Sequence, residues 1–197
     1  MDTTEFSDKM IELRQIITDG VVYLTAWQAI YSLDDIQAKA LSRYKGFFLS
    51  CQLSFKNMAI IEVGKIFDKD KRTPSLVNLV DVAINDRERL TPYATDSDLR
   101  KIKQWIDENE HIITRLKHLR DKRVAHHDSI YTKQSLLFGD VKNLINGLLV
   151  QFNLLTSWHN RSTTSLDNIL RVTEAHTKKV IAIMCDDMEK DVKPLKE

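Results

Sequence analysis

The sequence predicts an all-α protein, and three observations lead to that fold class. The chain has only 5 glycines and 3 prolines in 197 residues, whereas strands joined by hairpins need such residues at their turns. Its apolar residues recur at spacings of three and four, as on one face of a helix. Its composition, 43% hydrophobic and 29% charged, is that of an ordered globular protein. We therefore expect one domain over 1–197, a bundle of four or more long helices with a short helix inserted.

The first half of the chain predicts three of these helices. Apolar spacing indicates the first over residues 5–32, and the polar stretch that follows offers Ser32 or Asp34 as a cap for the next. The second is expected over 35–67 and lies centrally, because its apolar residues cover more than one face. DKDKRTPS at 68–75 is the clearest loop, and the short helix follows over 75–85.

The second half predicts three long helices. TPYATDSD at 91–98 is a break with capping residues, after which a long charged helix is expected over 97–123. Apolar spacing resumes over 136–158. HNRSTTS at 159–165 is a turn, and the last helix is expected to reach about residue 188. The tail, 189–197, is expected to fray.

Charge, cysteines and hydropathy limit the functional classes. A formal net charge of +1 argues against a general coat for nucleic acid, which would need many cations to neutralise phosphates. Cys51 and Cys185 lie far apart, so reduced thiols in a cytoplasmic protein are expected rather than a disulfide framework. The chain starts MDTTEFSDKM without a signal pattern and has no apolar run near 18 residues, so no membrane association is expected.

The segment LRDKRVAHHD at 119–128 concentrates cationic and titratable side chains. A basic end of a helix is favoured by the helix dipole, which is the ordinary structural explanation. The alternative is a phosphate site, because a guanidinium clamps phosphate oxygens and an imidazole passes protons near neutral pH. Arg120 and His126 are about 240° apart around a straight helix. To act together they need the helix to open near Ala125, or a second subunit.

This segment resembles the R-x(4–6)-H motif of the HEPN superfamily, here as Arg120-x5-His126 with Asp121 as the polar residue that follows the arginine. The form LRDK..AH.D and the stretch IEVGKIFDKDKRTPSLVNLV at 61–80 are most similar to its abortive-infection branch. The resemblance spans most of the chain in helical order. It implies an all-α bundle that dimerises around the motif. Many similar proteins are metal-independent ribonucleases, often toxins in toxin–antitoxin, abortive-infection or other phage-defence systems, and others are non-catalytic binding modules.

The resemblance also implies roles for individual residues. Arg120 would stabilise the scissile phosphate as charge develops on it. His126 would be the general base or acid, with His127 as the alternative if the register is shifted by one residue. Asp121 would orient Arg120 or His126. The products would be a 2′,3′-cyclic phosphate and a 5′-hydroxyl, formed without a metal or another cofactor.

The expected partners follow from the same resemblance. Lys122 and Arg123 would contact backbone phosphates of an RNA substrate, a single-stranded loop or a tRNA. We expect a homodimer, and a cognate antitoxin where the protein is a toxin. Two other hypotheses stay open: a non-catalytic dimeric module that binds RNA, a nucleotide or a partner protein, and a purely structural bundle.

Overall fold

The computed structural model describes the backbone of residues 1–125 and 138–192 and the side chains of residues 1–121 and 138–190. Every regular element in those ranges is a helix, which confirms the predicted all-α class. None of these helices is long and apolar enough to cross a membrane. In chain order they are α1 (Thr3–Tyr31), α2 (Asp35–Ser42), α3 (Lys45–Ile66), α4 (Leu76–Asn85), α5 (Arg87–Leu90), α6 (Asp96–Glu108), α7 (Glu110–Ala125), α8 (Phe138–Asn160) and α9 (Asp167–Val192).

The chain divides into two compact units, and α1 and α3 contribute residues to both. The first unit comprises residues 1–20 and 60–165, and the second comprises 21–59 and 166–197. The single domain expected over 1–197 stays a prediction.

The first unit has the larger apolar core. Burial of each large apolar side chain contributes about 1.5–3 kcal/mol, so this core holds the helices of the unit in place. Two of its buried residues, Ile113 and Leu116, lie on α7, the helix that carries the basic motif. The largest fully buried side chains of this unit are Phe6, Leu13, Ile17, Ile66, Phe67, Leu76, Leu79, Leu90, Leu99, Ile102, Ile113 and Phe152.

The second unit has a smaller core around Ile30, Leu41 and Ile181. Both cysteines pack against this cluster as free thiols. Burial raises the pKa of the Cys185 thiol, and nearby carboxylates raise it further, so this thiol stays protonated.

The helix expected over 35–67 is two helices, α2 and α3, so that prediction was wrong about continuity. Between the two helices, the backbone amides of Arg43 and Tyr44 donate to the carbonyls three residues earlier, at 3.3 and 3.0 Å. An α-helix would pair each amide with the carbonyl four residues earlier. The apolar residues of this segment cover several faces, so their spacing gave no sign of the break. The N-cap of α2 is Asp34, one of the two residues expected to cap it.

The long charged helix expected over 97–123 is also two helices, α6 and α7. Asn109 separates them with backbone angles of φ −98° and ψ 4°, and its side-chain amide donates to the Trp105 carbonyl at 2.8 Å. An asparagine that bonds to nearby backbone competes with the helical hydrogen bonds, which accounts for the break. Arg120 therefore belongs to a separate helix of 16 residues.

The remaining boundaries lie close to those expected. α4 begins after Ser75, whose hydroxyl accepts from the amide of Asn78. α5 was not predicted from the sequence. α9 continues past residue 188 to Val192, and the fraying expected over 189–197 stays a prediction. Residues 193–197 lie outside the part of the chain that the structure describes.

Candidate active site

Arg120 lies one turn after Leu116 on α7, so both residues share the face that packs on the core. The Arg120 side chain is only 17% exposed. A solvated basic helix end would leave the arginine in water. Here the guanidinium is instead held against Gly64 near the end of α3 and Asp68, two residues after that helix.

Gly64 allows α3 to approach α7 closely at this point. A Cβ on Gly64 would lie 3.0 Å from Cδ of Arg120 and 3.3 Å from Cδ2 of Leu116. With no side chain here, the aliphatic part of Arg120 lies over the backbone of α3. Nη1 of Arg120 donates to the Gly64 carbonyl at 3.3 Å.

Two carboxylates bind the Arg120 guanidinium. Nη1 lies 3.0 Å from Oδ2 of Asp68, and Nε lies 2.9 Å from Oδ1 of Asp121. Burial disfavours the charged guanidinium, but the hydrogen bonds to Asp121 and Asp68 outweigh it and raise the pKa of Arg120. Asp121 is 63% exposed and Asp68 only 27%, so the pair with Asp68 is the less screened of the two. Arg120 is thus a fixed, permanent cation.

One nitrogen of the Arg120 guanidinium, Nη2, has no acceptor in the described part of the chain. A guanidinium presents its donors in a rigid, planar fork that suits phosphate oxygens. Arg120 can therefore donate to a phosphate without releasing its existing partners.

The loop that supplies Asp68 is held by its own hydrogen bonds. The Ser75 hydroxyl donates to the Asp68 carbonyl at 2.6 Å, and the Asn78 amide donates to the carbonyls of Asp70 and Thr73 at 2.7 and 3.0 Å. Asp70 is paired with Arg72, whose hydrogen bonds lower the pKa of Asp70 to about 2. In the described ranges no three His, Cys, Asp or Glu side chains are grouped as metal ligands would be.

The structure brings together two of the residues that the sequence indicated, Arg120 and Asp121. Lys122 and Arg123 lie in the last turns of α7, and their side chains are outside the described part of the chain. His126 and His127 also lie outside the described residues.

The sequence interpretation gave Asp68 no part in this site. It considered Asp68 with Asp70 only as part of a cation-binding loop, which the following residues do not complete, and Asp68 also falls inside the 61–80 stretch on which the family resemblance partly rests. A contact that spans 52 residues of sequence cannot be derived from local spacing.

Comparison with models of protein families gives a match over most of the chain. The family model HEPN_AbiU2, described as AbiU2, matches residues 3–180, from α1 into the middle of α9. The matched region includes Gly64, Asp68 and Arg120. No curated protein and no solved structure matches the chain.

Proposed function

Since this chain belongs to the HEPN AbiU2 family, an abortive-infection branch of the HEPN superfamily, we propose that it is a metal-independent endoribonuclease. It acts as an abortive-infection effector or toxin in the cytoplasm, on a single-stranded RNA loop or a tRNA. Where it is a toxin, a cognate antitoxin restrains it.

The observation that carries this proposal is the fixed Arg120 guanidinium. Catalysis by charge stabilisation depends on donors that already point to where negative charge develops, so that little reorganisation is needed. The Gly64 carbonyl and the carboxylates of Asp68 and Asp121 hold Arg120 in place, and Nη2, which has no acceptor among the described residues, donates to a phosphate oxygen. Asp121 orients the arginine.

The reaction needs no atom beyond the RNA and a proton carrier. His126, or His127 in the alternative register, takes the proton from a 2′-hydroxyl, and the 2′-oxygen bonds to the adjacent phosphorus. The bond from phosphorus to the 5′-oxygen breaks, and that oxygen receives a proton from the protonated histidine, so the proton taken from the 2′-hydroxyl ends on the 5′-hydroxyl. Arg120 stabilises the charge on the non-bridging oxygens. The products are a 2′,3′-cyclic phosphate and a 5′-hydroxyl, so DNA is not cleaved.

The site is composite, and a homodimer completes it. On a straight helix extended to residue 126, Arg120 and His126 would be about 240° apart, and one such helix would not present both to one phosphate. Two copies related by a two-fold axis can each supply one of the two groups. Lys122 and Arg123 contact phosphates on either side of the scissile one.

The test is incubation of the purified protein with total RNA and with a tRNA pool in EDTA. Arg120→Ala and His126→Ala should each abolish cleavage while circular dichroism shows an unchanged helix content. His127→Ala decides the register. His118→Ala is the matched control, because His118 is an exposed histidine on α7. Cleavage retained in both Arg120→Ala and His126→Ala would refute the proposal.

A second function, a non-catalytic dimeric module for RNA, a nucleotide or a partner protein, has its own supporting observation. Asp68 and Asp121 already neutralise Arg120, and the net charge of the chain is only +1. A wild-type protein that binds RNA without cleaving it would favour this function.

A further inference from the structure

A cavity of about 540 Å³ begins one turn of α7 before Arg120. It is bounded by the 68–75 loop and by α4, α6 and α7, and all of these elements belong to the first unit. Its volume is in the range of about 300–1,000 Å³ that is usual for small-ligand sites.

Four lysines line this cavity: Lys69 and Lys71 on the loop, Lys103 on α6 and Lys117 on α7. Lys103 is engaged, with Nζ 2.7 Å from Oδ1 of Asp81. Nζ of Lys117 lies 3.4 Å from the Phe67 carbonyl, which is a long hydrogen bond. Lys69 and Lys71 are exposed and have no ion-pair partner among the described residues. The loop therefore offers two free cations.

The charge of the cavity suits one anionic group. Three carboxylates, those of Asp81, Asp107 and Glu110, also line the cavity. The four lysines therefore exceed the carboxylates by one, and the formal charge of the lining is +1. A phosphodiester carries one negative charge, whereas a nucleoside triphosphate carries several. The balance thus favours a single phosphate of a nucleic-acid strand.

The floor of the cavity is apolar. Val80, Ile106 and Ile113 are buried residues that line it. Apolar side chains can pack against the flat face of a base and remove it from water, a contact that does not depend on the base sequence. A lysine rim above an apolar floor matches the two parts of a nucleotide.

The cavity and Arg120 are linked through two elements. Lys117 and Arg120 are three residues apart on α7, which places their Cβ atoms about 5–6 Å apart. On the loop, Lys69 follows Asp68 directly, and Asp68 binds Arg120. A strand bound at Arg120 therefore reaches the lysine rim within one nucleotide.

We propose that this cavity binds the nucleotide adjacent to the scissile phosphate of a single-stranded RNA. Its base lies on the apolar floor, and its phosphate is bound by Lys69, Lys71 and Lys117. The proposal rests on the proposed function, because it takes Arg120 as the cleavage site. The hydrogen bonds of Asn78 hold the loop, so its two lysines are in place before the strand binds.

The test measures binding apart from cleavage. A fluorescent 12-nucleotide RNA with 2′-O-methyl groups cannot be cleaved, and its affinity for the full-length protein is measured by anisotropy across a salt series. Lys69→Gln/Lys71→Gln should bind about tenfold more weakly. The slope of log K against log salt should become shallower by roughly 0.7 for each phosphate that the variant no longer neutralises.

The control is Lys101→Gln/Lys178→Gln, which removes the same charge from exposed lysines that do not line the cavity. It should leave affinity and slope close to wild type. If both double variants bind alike, or if wild type does not bind the strand, the proposal is overturned. A mononucleotide that displaces the strand with equal affinity would also overturn it, since the cavity would then serve free nucleotides.

Cleavage of unmodified RNA by wild type, scored separately, distinguishes the two proposals. If wild type cleaves RNA and Lys69→Gln/Lys71→Gln binds the strand as tightly as wild type, the cavity proposal is wrong and the proposed nuclease activity stands. If wild type cleaves no RNA but its binding depends on the two lysines, the proposed nuclease activity is wrong. The cavity is then the nucleotide site of a binding module.

Discussion

Arg120 and Asp68 are 52 residues apart in the sequence, yet Nη1 of the arginine lies 3.0 Å from Oδ2 of the aspartate. This pair joins the end of α7 to the loop after α3 and is largely shielded from solvent. It has two opposing effects on a phosphate ligand. Asp68 fixes the direction of the guanidinium, and it also neutralises part of the charge that attracts RNA.

Asp68→Asn should separate these effects. The amide keeps the shape and can still accept a hydrogen bond, but it no longer neutralises Arg120. We expect KM for RNA to fall because the cation is stronger, and kcat to fall roughly tenfold because Arg120 is held less firmly. Steady-state cleavage of a labelled RNA measures both. Asp70→Asn, which alters a surface pair with Arg72 on the same loop, should change neither constant. Equal constants for wild type and Asp68→Asn would rule out a positioning role.

The sequence predicted what depends on local spacing. The amphipathic repeats located the helices because the periodicity of an α-helix is visible within a few turns. The break at Asn109 was missed, because one polar residue in a charged helix carries no periodic signal. Arg120 and Asp121 are consecutive in the sequence, so their proximity could be predicted. The contact of Arg120 with Asp68 could not, because it depends on how α3 and α7 pack.

Gly64→Ala tests whether the close approach of α3 to α7 at Gly64 positions Arg120. The new Cβ would lie 3.0 Å from Cδ of Arg120, so the side chain must shift by a few tenths of an ångström. We expect a several-fold loss of cleavage. The free energy of unfolding should change by less than about 2 kcal/mol, because the better helix propensity of alanine offsets part of the crowding. Gly46→Ala is the control on the same helix, since no atom of the described residues lies within 4 Å of the Cβ that the substitution adds. Full activity in Gly64→Ala would show that the exact position of Arg120 is unimportant.

Gly147→Ala should destabilise the first unit. A Cβ on Gly147 would lie 2.7 Å from Cζ2 of Trp105, a contact that forces the indole to move. We expect a loss of about 1–3 kcal/mol in urea unfolding. Gly139→Ala, on the same helix and with no atom of the described ranges within 4 Å of the added Cβ, should be neutral or stabilising by up to about 1 kcal/mol. Adding Trp105→Phe to Gly147→Ala should recover part of the loss. A double variant whose loss is the sum of the two single losses would mean that the indole is not the obstacle.

Asp98 should make the stability of the protein depend on pH in the acid range. The Thr95 hydroxyl donates to Oδ2 of Asp98 at 2.6 Å, and hydrogen bonds from Thr95 and Lys101 lower the pKa of Asp98 from 3.8 to about 2. Because the folded value is the lower one, the stabilisation is complete above pH 3.8 and is lost as pH falls towards 2. The difference in Tm between wild type and Asp98→Asn should therefore shrink over that interval. Thr95→Ala should show the same dependence, and a difference that does not vary with pH would contradict the assignment.

His159 should act in stability and not in catalysis. Its Nδ1 donates to the Leu90 carbonyl at 2.6 Å, its Nε2 lies 2.8 Å from the Ser7 hydroxyl, and its ring packs edge-on against Phe6. His159→Leu keeps the apolar contact but leaves the Leu90 carbonyl without this donor, so we expect a loss of about 1–3 kcal/mol in urea unfolding. Ser7→Ala should cost less, because it leaves the bond to Leu90 in place. RNA cleavage per folded molecule should be unchanged in both variants, since neither residue contacts Arg120. A loss of cleavage without a loss of stability would instead make His159 a second catalytic histidine.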